Sequence, residues 1–446
     1  MRFTSISCEQ REAMLRTVGC ADMDALFDSV PAAVRLSRPL DVPDGLTEFE
    51  ADSRLRALAR ANAPATSLVS FAGAGCYDHH IPSIVDHVLR KPEFFTAYTP
   101  YQPEVSQGTL QNIYEFQTMI CELTGMDVAN ASMYDGATAL TEAALMAARV
   151  TKRHTVVVSA AVHPEWRQVL RTYADASVLE VREVASAGGV TDGAALAAAL
   201  DDSVAAVLIA SPNFFGALED LGAIAEAAHA AGALFVVAAN PVLLGVLEPP
   251  SAFGADIVVG EGQMLGNAMS FGGPGLGFFG AREAHLRQMP GRIVGRTVDV
   301  DGSMAFVLTM QTREQHIRRE KATSNICSNH ALNALAATVY LSALGVAGLE
   351  SVGRSCVAKA HYLRAALLST GRFASPWESA FANEFALSFD GDAVALRDAL
   401  VERGFLAGVP VRELDPCAPA GLMLFAATEK RTKAEMDALA DEVTSL

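Results

Sequence analysis

Two phenols and a carboxylate recur at three-residue intervals in the run AYTPYQPE, as Tyr98, Tyr101 and Glu104. Pro100 and Pro103 fix φ at their own positions and bias the residues before them toward extended backbone, so the turn is rigid. A phenol donates and accepts hydrogen bonds, and a carboxylate accepts them or carries a proton. A rigid turn that presents all three is equipped to reach into an active site. Interface packing with satisfied hydroxyls is the competing explanation of the same residues.

Other segments carry weaker chemistry. Asp135-Gly136-Ala137-Thr138 sits at a strand-to-helix junction, where a helix N-terminus suits a phosphate. The Asp135 carboxylate stands where that phosphate would bind, so helix capping is the favoured role. His163 precedes Pro164 at the end of an apolar run, and either stacks on a planar ligand or caps the following helix. His79 and His80, beside Asp78 and Cys76, lack partners at zinc-site spacing and read as loop residues lining a cleft. The glycine-rich run 272–280 precedes an apolar segment instead of joining a strand to a helix, which makes it a tight turn and not a dinucleotide loop. Arg313, Arg318, Arg319 and Lys321 are concentrated in REQHIRREK, in a chain that is otherwise acidic. They form a solvated helix face or help to bind an anion.

Apolar periodicity supplies the elements that position these residues. Leu110, Ile113, Phe116, Ile120 and Leu123 recur at helical spacing, predicting a helix from Ser106 to Gly125. A short strand and a second helix entered through Asp135-Gly136 follow. Up to about residue 282, apolar runs (HTVVVSA, AAVLIAS, ALFVVAAN, ADIVVG, GLGFFGA) alternate with helical segments, the pattern of a mainly parallel α/β sheet. Residues 9–62 read as helices, the third announced by the capping-box spacing of Thr47 and Glu50. Thr323-Ser324-Asn325 are all good N-cap residues, and a helix is expected to start there. The C-terminal part reads as strands FANEFALSF and GLMLFAAT with helices at 393–403 and 433–444.

At 446 residues the chain is long enough for two or three domains. Its 51% apolar and 19% charged composition is that of a packed globular protein. A net charge of −17 repels phosphate backbones and argues against nucleic-acid binding. The seven cysteines are scattered without CxxC spacing, as expected of reduced thiols. No signal-peptide core and no run of about 18 apolar residues is found, so a cytoplasmic protein without a membrane span is expected.

TAYTPYQPEVSQGTLQ, ANASMYDGATA, EGQMLG, MPGRIVGRTVD and REQHIRREKATSNIC together resemble the glycine-cleavage P-protein family, glycine decarboxylase, and within it the α-subunit branch of the two-subunit form. The similarity runs over nearly the whole chain. It implies the pyridoxal-phosphate fold type I: a helical arm (1–68), a large α/β domain with a mainly parallel seven-stranded sheet (69–325) and a small α+β C-terminal domain (326–446). Such enzymes bind pyridoxal phosphate covalently through a lysine after a late strand of the large domain. Here that loop, IVVGEGQMLGNAMSFGGPG, has none; the six lysines are at 91, 152, 321, 359, 430 and 433. The family's fold also places an Asp beneath the cofactor, where ALFVVAAN ends in Asn240. The resemblance therefore implies a subunit without its own cofactor, paired with a β subunit that carries it, as α2β2. The implied reaction is glycine decarboxylation with aminomethyl transfer to the lipoyl arm of H-protein. Carried across on the motif, Tyr98, Tyr101 and Glu104 would serve the partner's site. Thr323, Ser324 and Asn325 would offer N–H groups to its phosphate, with Arg318 and Lys321 as weaker candidates. A metal is not implied, and a purely structural scaffold is the alternative function.

Overall fold

The apolar runs between residues 128 and 281 assemble into a mixed sheet of seven strands in a computed structural model that describes residues 5–177 and 179–446. In spatial order the strands are Val128–Ala129, Gly277–Ala281, Ile257–Glu261, Leu234–Ala238, Val204–Ala210, Thr155–Ser159 and Glu180–Val184. Neighbouring strands pair parallel from Ile257–Glu261 to Glu180–Val184, whereas Gly277–Ala281 pairs antiparallel on both sides. Thr155–Ser159 and nearly all of Val204–Ala210 are buried, as strands covered on both faces must be. The sequence hides Glu180–Val184 because this edge strand is charged and buries only Val184, the usual means of blunting a sheet edge.

Helix Gln107–Thr124 starts after Ser106 and ends at Gly125, whose φ of 67° is the left-handed cap that glycine adopts without strain. It buries Leu110, Ile113, Phe116 and Ile120. Two of its glutamines fasten a hairpin absent from the sequence reading, Ile293–Val298 with Met304–Thr309. Gln117 exchanges two hydrogen bonds with the backbone of Val294 (3.0 and 2.9 Å), and Gln107 two with that of Phe306 (both 2.9 Å). Leu110, Ile113, Ala131, Val294, Phe306 and Leu308 fill the space between helix and hairpin.

The helix expected at Thr323 starts at Ala331 instead. Residues 323–330 are irregular, with bends at Thr323 and Asn325, because tertiary contacts claim them. Ile326 is buried in the core beside the sheet, the Asn329 side chain donates to Ala131 O (3.1 Å), and His330 Nδ1 lies 2.7 Å from Gly275 O. Helix Ala331–Ser369 breaks at Gly345 (φ 60°, ψ −174°). It is long and apolar enough by composition to cross a bilayer, yet Ala334, Ala337, Tyr340 and Leu341 lie in the protein core.

Its second half packs with a four-stranded antiparallel sheet of Phe373–Ala374, Glu384–Phe389, Leu422–Ala426 and Val409–Pro410. Helices Ala393–Glu402 and Lys433–Ser445 complete this region around Leu363, Leu387, Phe425 and Leu439. Thr432 and Glu435 form the expected capping box. Residues Pro64–Leu446 make one compact unit and Met1–Ala63 another. The latter has helices Cys8–Val18 and Glu48–Arg60, each opened by a capping box and neither burying a residue.

Candidate functional site

The parallel strands end at a cleft lined by His163, Trp166, Ala210, Phe214, Ala238, Asn240, Glu261 and Glu384, the edge of an α/β sheet where ligands bind. Helix Gly136–Thr151 points its N-terminus at the same place. Asp135 caps it: Thr138 N donates to Asp135 Oδ1 (2.8 Å) and Asp135 N to Thr138 Oγ1 (3.2 Å). The capping role favoured from sequence is the observed one.

A second carboxylate, missed by sequence reasoning, occupies the remaining space. Glu261, at the end of its strand, accepts from Gly136 N (3.0 Å), Gln263 N (2.8 Å) and Leu276 N (2.7 Å). Burial raises its pKa, against these three N–H groups, which lower it. The anion position at the helix N-terminus is thus filled by the chain's own side chain. Gly136 is required here, because a Cβ would stand 2.3 Å from the Trp166 ring. The signal for this plug was present in EGQMLG, but the partner N–H of Gly136 lies 125 residues away.

His163 resolves toward capping. Its Nδ1 accepts from Glu165 N (3.2 Å) and its Nε2 lies 3.0 Å from Ala74 O. Burial lowers its pKa, which suits a neutral ring with one acceptor and one donor nitrogen. Its ring packs beside Trp166 and edge-on to Phe214. Asn240 Oδ1 accepts from Val242 N (3.0 Å) and Leu243 N (3.4 Å), capping a short turn. Glu384 reaches the cleft from the C-terminal sheet and accepts from Ala74 N (2.6 Å) and Tyr77 Oη (2.7 Å). Burial pushes its pKa up to about 7, with those two bonds pulling the other way.

Pyridoxal phosphate does not fit this cleft. The loop after Ile257–Glu261 offers no lysine, and two carboxylates hold the place of a phosphate. His79, Cys356 and Glu429 gather within 4.8 Å of one another. Glu429 Oε2 is directly bonded to His79 Nδ1 at 2.7 Å, closer than the roughly 3.3 Å separating two ligands of a tetrahedral ion. The trio is a latch: His80 N also donates to Glu429 (2.6 Å), and Lys430 pairs with Asp78 (2.7 Å).

The tyrosine turn lies apart from the cleft residues, on the surface next to the hairpin. Tyr98 is 88% exposed and Tyr101 44%; Glu104 is exposed on a 3-10 turn begun by Pro103. Tyr98 lines a groove with Phe95, Pro100, Ser328, Asn329 and Leu332. Tyr101 receives a hydrogen bond from Arg292 Nη2 (3.0 Å) and packs edge-on to His316. Thr323 and Ser324 share a notch with Pro290, Arg313 and Glu314, and Thr323 N donates to Arg313 O (3.2 Å). Tyr101 and the Thr323-Ser324 pair therefore both adjoin the Arg292–Glu314 region. Because residues 323–325 are not a helix start, their N–H groups carry no helix dipole. Ser324 Oγ instead accepts from Ile326 N (3.1 Å). Arg318 and Lys321 are exposed on the flank.

The family model of the glycine cleavage system P-protein matches residues 1–443. The probable glycine dehydrogenase (decarboxylating) subunit 1 of Geobacillus kaustophilus is 52% identical over 442 residues, covering 99% of this chain and 98% of that protein. Its counterpart in Desulforamulus reducens is 50% identical over 440 residues, covering 99% and 98%. A crystal structure of glycine decarboxylase (P-protein) of the glycine cleavage system, in inhibitor-bound form, superposes with a TM-score of 0.91 at 48% identity over the full length of both chains. A sphingosine-1-phosphate lyase of Burkholderia pseudomallei shares the fold, with a TM-score of 0.67 at 16% identity over 93% and 94% of the two chains. The chain belongs to the glycine cleavage system P-protein family.

Proposed function

We propose that this chain is the cofactor-free α subunit of a two-subunit glycine decarboxylase, active only with a homologous β subunit that carries pyridoxal phosphate. The observation that carries this reading is the Glu261 carboxylate seated on Gly136 N, in a cleft without a lysine. When bound on the partner, pyridoxal phosphate supplies the electron sink for loss of CO2 from glycine. The part left to this chain is a wall. Tyr98, Tyr101 and Glu104 stand exposed on a proline-fixed turn, where they orient substrate by hydrogen bonds and exclude water once the partner covers them. Thr323, Ser324 and Asn325 flank that wall and offer polar groups to the partner's phosphate.

The reading includes an α2β2 assembly, a cytoplasmic location and delivery of the aminomethyl group to the lipoyl arm of H-protein. It divides the chain into an arm (1–68), a fold-type-I large domain (69–325) and a small C-terminal domain (326–446). A purely structural scaffold, stabilising β or docking H-protein, is less favoured because the exposed phenols of the turn would then have no task. Glycine–bicarbonate exchange tests the proposal: the chain alone is inactive, and mixing it with the β subunit gives exchange. Exchange by the chain alone would refute it.

A further inference from the structure

We propose that Arg292, backed by Glu314, is a positioning residue that fixes the Tyr101 phenol as an outward-facing hydrogen-bond donor. The inference rests on the reading that Tyr101 serves the partner's site, and it names what sets that phenol's orientation.

Arg292 stands at the root of the hairpin. Its backbone carbonyl accepts from Ala131 N (2.8 Å), and Gln117 fastens Val294 two residues on. The same helix that carries Gln107 and Gln117 begins a few residues after Tyr101, so turn and arginine are held to one frame. Arg292 Nη2 lies 3.0 Å from Tyr101 Oη. A guanidinium has five N–H donors and no acceptor, so in this pair the phenol oxygen can only accept. Its own proton must point elsewhere. Tyr101 is 44% exposed and its ring meets that of His316 in a T-shaped contact, so the open direction is the surface that the partner would cover.

Glu314 makes this arrangement tenable. Arg292 and Glu314 are 5% and 8% exposed, and Arg292 Nε lies 3.5 Å from Glu314 Oε2. Among the described residues, Arg292 Nε and Glu314 Oε1 make no hydrogen bond. A buried pair left partly unsatisfied is poorly explained by stability, because such pairs are often neutral against apolar packing. Its geometry is explained by the phenol it holds. Arg292 comes from MPGRIVGRTVD and Glu314 from REQHIRREK; the pair joins two of the segments that carry the family resemblance.

The test uses the reconstituted complex with the β subunit and four chains: wild type, Tyr101→Phe, Arg292→Lys and the double variant. Lysine keeps the charge and loses the planar fork. Arg292→Lys is expected to lower kcat of glycine–bicarbonate exchange about tenfold, with KM and melting temperature nearly unchanged. In the Tyr101→Phe background the same substitution is expected to cost nothing further, because the two residues act as one unit. A multiplicative loss in the double variant would overturn the proposal while leaving Tyr101's role intact. Silence of Tyr101→Phe would remove the underlying reading, and the proposal with it. Should Arg292→Lys destabilise the chain, the charge-neutral pair Arg292→Gln with Glu314→Gln replaces it, judged by the same non-additivity.

Discussion

Removing the Glu261 carboxylate is the sharpest probe of the filled cleft. Glu261→Ala strands three buried N–H groups, those of Gly136, Gln263 and Leu276, now 3.0, 2.8 and 2.7 Å from its oxygens. A buried donor without a partner costs about 1–3 kcal/mol, so the gross loss is about 3–9 kcal/mol. Two effects offset it. The charge that burial disfavours is gone, and water can enter from the open side of the cleft and pair with one or two donors. We expect a net loss of about 2–4 kcal/mol. Glu261→Gln separates hydrogen bonding from charge. It retains a carbonyl at the Oε1 position for Gln263 and Leu276, and it turns an N–H toward Gly136 N–H, for a loss of about 1–2 kcal/mol. Urea unfolding of the two variants measures both numbers, with an unchanged m-value required for the comparison. A Glu261→Ala variant as stable as the wild type would refute the reasoning. So would a Gln variant as damaged as the Ala one.

Further outcomes follow from the same structure. Glu384 has a folded pKa raised from 4.5 to about 7, so the folded state favours the protonated form. Its stabilising contribution is complete below pH 4.5 and is lost as pH rises toward 7, about 3 kcal/mol in all. Glu384→Gln mimics the protonated side chain and is expected to flatten the fall in stability between pH 5 and 8; an unchanged pH profile would contradict this. Tyr98→Phe, at 88% exposure, should leave folding and assembly intact and lower exchange in the complex, whereas full activity would support a scaffold. Gly345→Ala meets no atom within 4 Å of its new Cβ, so its cost is purely the backbone conformation, about 1–3 kcal/mol. Thermal unfolding that shows no loss would mean the helix can run straight through residue 345.

Much of this was legible in the amino-acid sequence because it is local. Ser106 and Gly125 bound a helix whose apolar spacing already named its buried face, and the buried strands announced themselves as uninterrupted apolar runs. Missing lysine and Asn240 required only the motif frame around them. What escaped was set by distant partners. Glu261 became a plug only when the fold brought it to Gly136, and the apolar strands of hairpin 293–309 sit in a charged segment whose pairing shows only once Gln107 and Gln117 fasten it. Thr323-Ser324-Asn325 carry the right chemistry for a helix start, but burial of Ile326 and the Asn329 and His330 contacts delay the helix to Ala331. Arg292 lay inside a recognised motif without a task, since nothing in a chain of letters places it against Tyr101.

The proposed division of labour gives this subunit the shaping of a site whose cofactor its partner holds. Borohydride reduction of the purified α–β complex, followed by separation of the subunits and mapping of labelled peptides, tests it most directly. Label confined to one lysine of the β subunit is the predicted result, with all six lysines of this chain unmodified. Label on any lysine of this chain would place the cofactor here and overturn that division.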